Sequence, residues 1–277
     1  MISAKAFAPA NISCIFKVYE NKNPRWMGSY GIGFTLNEGV VASTSRAKMT
    51  EVVFNNKPIN FPTVKSLIKK LTREKIRVYI KTKLPLGCGF GLSGASTLAT
   101  AYVLNRLLKL KKSNKELAII AHTAEVENRT GLGDVVNQYY GGFCLKLKPS
   151  SYFKVKKLPI NDADVYCKYF SRISTKSVIT NKKLKNKIND TSSTALNNIK
   201  KIIKNDGIKF GDIIKISKEF AINSGLLKDK NTIKAIKKIG KNNGDASMIM
   251  LGNAVFSDKP FKGAIKFKIS DEGAHLL

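Results

Sequence analysis

Apolar positions recur along this chain with two periods, and the switches between them mark its elements. Residues 1–60 read mainly as strands and turns. Val40–Thr44 and Glu51–Phe54 are short runs of β-prone side chains. Asn23-Pro24, Gly28-Ser29 and the Gly31/Gly33 pair predict turns, and Asn55-Asn56-Lys57-Pro58 predicts a hairpin or loop. From Thr63 to Arg73 the period becomes helical, with Val64, Leu67, Ile68 and Leu71 on one face. Ile76–Ile80 alternates as a strand does and leads through Lys81–Leu84 into a glycine-rich stretch. Ala95–Leu110 has the wide apolar face of a packed helix, built from Leu98, Ala101, Tyr102, Leu104, Leu107 and Leu108. Ser113-x-x-Glu116 is a capping box that opens another helix, running to about Asn128. Thr130–Gly133 breaks that helix, Asp134 starts a short third one, Gly141-Gly142 ends it, and Phe143–Leu147 returns as a strand.

The pattern changes near residue 150, where Pro149-Ser150-Ser151 and Pro159 flank a boundary between units of residues 1–150 and 151–277. The second unit is richer in Lys, Asn and Ile. Val165–Phe170 and Ser177-Val178-Ile179 predict strands, and residues 192–205, 210–225 and 229–240 predict helices. Ser247–Phe256 and Ala264–Ile269 predict closing strands or a helix–strand pair.

The 277 residues suffice for one large domain or two modest ones, and 43% hydrophobic with 25% charged residues describes a soluble globular chain. No apolar run reaches the ~18–20 residues that span a bilayer, and Met1–Phe7 lacks the apolar core of a secretory signal, so the expected compartment is the cytoplasm. The four cysteines form no CxxC pair and only two histidines are present, which argues against a zinc site. The formal charge of +30 admits a nucleic-acid reading. The excess is mostly lysine and is spread over the chain, and no zinc-finger spacing or RNP-type aromatic motif accompanies it, so solvated lysine faces account for it better. Such a field favours small anionic ligands.

The candidate chemistry centres on Pro85-Leu86-Gly87-Cys88-Gly89-Phe90-Gly91-Leu92-Ser93-Gly94-Ala95-Ser96, directly before the long helix. Glycines that turn backbone amides inward, followed by a helix N-terminus, make a phosphate cradle. Gly89-x-Gly91-x-x-Gly94 matches a dinucleotide fingerprint literally, but two helical patterns follow it where that fold needs a strand ending in an acid. No Lys-Ser/Thr follows the glycines, which excludes a Walker A loop, and the protein-kinase elements are missing. Asp134, after its glycines, is either a helix cap or a reactive carboxylate. Glu125 on the preceding helix is either a solvated helix acid or a cation ligand, with Glu127 its rival in the second role, and His122 reads as a packing or hydrogen-bonding residue.

Pro85-x-Gly87-x-Gly89-x-Gly91-x-Ser93-x-Ala95 resembles the phosphate loop of the GHMP kinases, the galactokinase, homoserine kinase and mevalonate kinase superfamily. Thr130-Gly131-Leu132-Gly133-Asp134 with Gly141-Gly142 resembles that superfamily's catalytic-aspartate segment, and Gly244–Gly252 resembles its third loop. Further pieces, Ala8–Ser13, Gly28–Phe34, Ala121–Val135, Ile173–Val178 and Phe220–Leu226, resemble the archaeal pantoate kinase family in order along the chain. The resemblance implies an α+β, two-lobed fold, with an N-terminal lobe like ribosomal protein S5 domain 2 and a ferredoxin-like C-terminal lobe. It implies a cytoplasmic homodimer that phosphorylates pantoate to 4-phosphopantoate with ATP and Mg²⁺ in coenzyme A biosynthesis. ATP phosphates are expected on Pro85, Gly87, Gly89, Phe90, Gly91, Leu92, Ser93, Gly94 and Ala95, Mg²⁺ on Ser93 and Glu125, the catalytic carboxylate at Asp134, and the acceptor at Asn11, Ser29, Lys146 and Ser247.

The chain departs from the family pattern at several of these positions. Leu92-Ser93-Gly94-Ala95 keeps one of two usual serines. The family has His where Asn11 stands, Arg where Lys146 stands and Arg where Tyr30 stands. Lysine keeps the charge without the bidentate fork. Another small-molecule acceptor of the homoserine, mevalonate or shikimate type is therefore the alternative, with a basic nucleic-acid-binding protein behind it.

Overall fold

The computed structural model describes residues 4–205 and 207–277. Two long strands organise the first half: β1 (Lys5–Tyr19) and β2 (Gly28–Arg46), paired antiparallel along most of their length. β2 is long enough to serve two further partners. Its end, Val41–Arg46, pairs with β5 (Ile76–Lys81), and its beginning, Gly31–Phe34, pairs with β6 (Phe143–Lys146). β3 (Glu51–Phe54) and β4 (Lys57–Ile59) form a hairpin whose Asn55 and Asn56 both take positive φ, 47° and 65°, as a tight two-residue turn requires. β3 then lies parallel to β5, with α1 (Pro62–Leu71) as the crossover. β7 (Lys156–Leu158) adds to β6, and β12 (His275–Leu276) returns to cover the free edge of β1.

The Gly28-Ser29 and Gly31/Gly33 turns expected from the sequence do not form; all four residues lie inside β2. Gly31 and Gly33 are needed for close approach instead. A Cβ on Gly31 would collide with the Ile15 carbonyl of β1, and one on Gly33 would sit 2.5 Å from the Ile12 carbonyl.

α2 (Leu92–Leu108) and α4 (Asp134–Tyr140) pack on this sheet, and α3 (Asn114–Asn128) stacks on α1, α2 and α4. α2 is buried along most of its length and packs on β1, β2, α1 and α3. α3 begins at Ser113, and both halves of the capping box are formed. α4 is a two-turn helix wedged between α2, α3 and β1.

The second half builds an antiparallel sheet in the order β11-β8-β10-β9, from β8 (Asp164–Arg172), β9 (Ala246–Met248), β10 (Gly252–Ser257) and β11 (Ile265–Lys268). Its helices are α5 (Thr175–Thr180), α6 (Lys182–Asn205), α7 (Phe210–Asn223) and α8 (Lys230–Lys241). Ser177-Val178-Ile179 is therefore helical where β-branching predicts a strand. The Ser174 hydroxyl accepts the Ser177 N–H and starts the turn, which buries Val178 and Ile179. α6 starts ten residues earlier than its apolar spacing suggests, because polar side chains hold its first turns. Asn189 accepts the Val18 N–H at 2.8 Å and donates to the Val18 carbonyl at 3.2 Å, satisfying the backbone of β1 where its ladder ends.

The two sheets share one core. Phe34 of β2 meets Phe143 of β6, Phe210 of α7 and Phe256 of β10 at ring separations of 5.0, 5.6 and 5.7 Å. The cleft between the halves is therefore walled by elements fixed to a common aromatic cluster. Among the described residues no helix is long and apolar enough to cross a membrane.

Candidate active site

The glycine stretch between β5 and α2 forms an open loop at the floor of this cleft. Gly87, Gly89 and Gly91 take φ of 85°, 89° and 61°, a region that side-chain-bearing residues adopt only with strain. The loop is held from several sides. Asn11 donates its backbone N–H to the Phe90 carbonyl at 3.0 Å, Ile173 donates to the Gly87 carbonyl at 3.3 Å, and Gln138 Nε2 donates to the Gly91 carbonyl at 2.8 Å. α2 starts at Leu92, so Ser93 and Gly94 belong to its first turn, and the first helical bond runs from Ala95 N–H to the Gly91 carbonyl at 3.1 Å. The N–H groups ahead of Ala95 lack a helical acceptor and lie at the positive end of the helix dipole, where Gly91, Leu92 and Ser93 line the cleft.

A buried carboxylate, Glu125, and a half-buried one, Asp134, stand beside this helix start. Glu125, on α3, is 1% exposed. Its Oε1 accepts from Ser93 Oγ at 2.6 Å and from Thr130 Oγ1 at 2.7 Å, and its Oε2 is buried without a hydrogen-bond partner. Burial pushes its carboxyl up from 4.5 to about 7, against the pull of the Ser93 and Thr130 hydroxyls. An unpartnered buried carboxylate oxygen beside a serine hydroxyl is an all-oxygen donor set, and it fits a small hard divalent cation. Glu127, the rival, points away from the cleft and pairs with Lys70 at 2.7 Å on the surface.

Asp134 is the first residue of α4, and Gly133 occupies the cap position. Its side chain caps nothing. Oδ1 accepts from Asn11 Nδ2 at 2.6 Å and from Ser13 Oγ at 3.3 Å. Asn11 and Ser13 share one face of β1 by strand alternation. Burial raises the Asp134 carboxyl above its ordinary range, and the Lys146 charge and the Asn11 and Ser13 donors oppose that rise. Asp134 and Glu125 converge on Gly131: a Cβ there would lie 3.3 Å from Asp134 Oδ2 and would strike Glu125 Oε2.

Lys146, at the end of β6, is buried with its ammonium group donating to Asn137 Oδ1 at 2.8 Å. Burial lowers its pKa, opposed by Cys144, Asp134 and Cys14. It approaches the same glycine as Ser29: a Cβ on Gly133 would lie 3.5 Å from Lys146 Nζ and would meet the Ser29 hydroxyl.

These groups border a cleft of about 410 Å³. Gly87, Gly89, Gly91, Ser93, Asp134, Ser29 and Lys146 line it, together with an apolar wall that includes Phe61, Leu86, Phe90, Leu92, Ile173 and Ile179. Glu125 lies just behind Ser93, and Asn11 behind Asp134. Gly94 packs under Gln138, with 2.7 Å between an added Cβ and Oε1, and Ala95 is fully buried. Ser247 is placed elsewhere: its hydroxyl pairs with Ser217 at 2.9 Å beneath α7, outside the cleft lining. The neighbouring Met250 and Leu251 reach the cleft instead, and Gly252 packs on the Cys88 carbonyl. His122 is buried, with Nε2 at 2.9 Å from the Met27 carbonyl, and burial holds it near pKa 4 and hence neutral.

Ser13, Thr130 and Asn137 belong to this site without having been singled out in the sequence. Ser13 follows Asn11 by two strand positions and Asn137 follows Asp134 by three helical ones, so face periodicity carried both signals. Arg129 and Lys176 also line the cleft, adding cations near the glycine loop.

Residues 60–142 match the family described as GHMP kinases N terminal domain. A pantoate kinase from Methanocaldococcus jannaschii is 34% identical over 256 residues, covering 90% of this chain and 90% of that one. A pantoate kinase from Methanospirillum hungatei is 31% identical over 288 residues, covering 98% and 96%. Among solved structures, one described as a phosphotransferase related to the CoA biosynthesis pathway superposes with a TM-score of 0.84 at 24% identity, over 99% of this chain and 98% of that one. With the glycine loop, the paired carboxylates and these full-length similarities together, the chain belongs to the pantoate kinase family of the GHMP kinases.

Proposed function

We propose that this protein is a cytoplasmic kinase that transfers the γ-phosphoryl group of ATP to the hydroxyl of pantoate, yielding ADP and 4-phosphopantoate for coenzyme A biosynthesis. One observation carries the reading: a left-handed glycine loop, a half-buried carboxylate with one committed oxygen and a buried ammonium all open on the same cleft.

Phosphoryl transfer asks a protein mainly for positioning and charge stabilisation. The amides of the glycine loop and of the first turn of α2 would hold the nucleotide phosphates, and the apolar wall would take the base. Asp134 Oδ1 is held by Asn11 and Ser13, while Oδ2 has no hydrogen bond among the described residues. Oδ2 would receive the acceptor's hydroxyl proton as the hydroxyl oxygen bonds to the γ-phosphorus and the bridging oxygen departs with ADP. Glu125 and Ser93 are the residues that would hold Mg²⁺, which supplies charge neutralisation at the phosphates when bound. Lys146 gives one of its three donors to Asn137, leaving two for the acceptor's carboxylate, with the Ser29 hydroxyl beside it.

An acceptor panel tests this. With ATP and Mg²⁺, pantoate should release ADP and give a new phosphomonoester signal in ³¹P NMR. Turnover with homoserine, mevalonate or shikimate and none with pantoate would make the acceptor assignment wrong. Light scattering on the same preparation reads out the expected homodimer.

A further inference from the structure

The geometry points to Asn137 as a positioning residue for Asp134: it relays the polarity of the Lys146 ammonium through Asn11 and so fixes which end of the Asn11 amide faces the carboxylate. The inference rests on Asp134 being the group that receives the acceptor's proton.

Three hydrogen bonds run in series across three elements. Lys146 Nζ of β6 donates to Asn137 Oδ1 of α4 at 2.8 Å, Asn137 Nδ2 donates to Asn11 Oδ1 of β1 at 2.8 Å, and Asn11 Nδ2 donates to Asp134 Oδ1 at 2.6 Å. A side-chain amide has a donor end and an acceptor end and can in general sit either way round. Here the two ends of the series remove that freedom. An ammonium only donates, so Asn137 must show it oxygen. The Asn137 NH₂ then faces Asn11, which must show oxygen in turn. That leaves the Asn11 NH₂ for a carboxylate, which only accepts. Asn11, Asn137 and Lys146 are at most 3% exposed, so a reversed amide would set oxygen against oxygen with no water to compensate. Both outer bonds are charge-assisted, which strengthens the series as a unit. The result for the site is that Asp134 Oδ1 stays occupied and Oδ2 is the oxygen left for the acceptor.

Asn137→Asp keeps the shape and exchanges the NH₂ for a charged carboxylate oxygen, and Asn137→Leu, close in size and uncharged, removes the donor without adding that charge. In Asn137→Asp, residue 137 would still accept from Lys146 but no longer donate, so Asn11 would turn its NH₂ toward it and its oxygen toward Asp134. The expected result is a kcat lower by roughly 10–100-fold, with KM for ATP unchanged and a folded protein by circular dichroism. A second readout needs no turnover. The Asn11 side-chain NH₂ signals in ¹⁵N–¹H spectra, identified by their loss in Asn11→Ala, should exchange slowly with water in the wild type and faster in Asn137→Asp and Asn137→Leu. Wild-type kcat in Asn137→Asp, or Asn11 exchange indifferent to residue 137, would overturn the inference. Residue-137-dependent exchange in a wild type that does not turn over pantoate would uphold the relay and overturn the acceptor instead.

Discussion

Ser93 Oγ donates a 2.6 Å hydrogen bond to Glu125 Oε1, tying the first turn of α2 to the last turn of α3 across 32 residues of sequence. The bond uses one carboxylate oxygen and the other is buried and unpartnered; burial raises the carboxyl to about pKa 7 against the pull of the Ser93 and Thr130 hydroxyls. Because the folded-state value lies above the ordinary 4.5, the folded protein holds this proton more tightly than the unfolded chain. Its stabilisation is fully present below about pH 4.5 and is lost as pH rises through about 7. In metal-free protein, melting temperature should therefore fall over that window more steeply in the wild type than in Glu125→Gln. Mg²⁺ should stabilise the wild type above the window and leave the variant unchanged. Parallel melting curves with and without the carboxylate would show that Glu125 does not titrate there.

Lys146→Met should act on the acceptor and, because it frees Asn137 Oδ1 at the head of the series to Asp134, should lower kcat as well. Removing a buried donor to a carboxylate costs about 1.5–3 kcal/mol, or roughly 10–100-fold. Steady-state kinetics should show that loss in KM for pantoate, with KM for ATP near the wild-type value. Equal rises in both constants would place Lys146 outside the acceptor subsite.

Gly89→Ala should damage the nucleotide side. Its φ of 89° is unsuited to alanine, and the added Cβ would lie 2.7 Å from Ile249 Cγ2. A cost of about 1–3 kcal/mol follows from the strain, and displacement of the loop should raise KM for ATP. Gly225→Ala, also at positive φ (74°) but remote from the loop, should lower stability and leave KM for ATP alone. Thermal melts with ATP titrations separate the two.

Ser113→Ala removes the hydroxyl that accepts the Glu116 N–H at the start of α3. It should cost about 1 kcal/mol by chemical denaturation without changing kcat, since Glu125 lies at the other end of the helix. A large loss of kcat would mean that the cap controls the position of Glu125.

The sequence made legible those features whose causes are local. The capping box at Ser113, the glycines before α2 and the break ahead of Asp134 each act within a few residues, and the structure has them where the spacing predicts. Features with distant causes were hidden. Gly31 and Gly33 look like turn glycines, yet they exist to admit the carbonyls of β1. Val178 and Ile179 look like strand residues until the Ser174 cap and the burial of α5 are known. The site shows the same division. Asp134 and Glu125 stand out in their segment, whereas the series from Lys146 to Asp134 joins residues up to 126 apart and only folding aligns it. Ser247 marks the converse case, a motif residue that packing under α7 removes from the cleft.

Asp134→Asn tests the central claim most directly, since it keeps the shape of the side chain and removes its capacity to take a proton. With ATP, Mg²⁺ and pantoate, ADP release by the variant should drop at least ~10²-fold in kcat while ATP binding stays near normal. A variant that turns over at close to the wild-type rate would contradict the account and leave Asp134 as a structural residue at the start of α4.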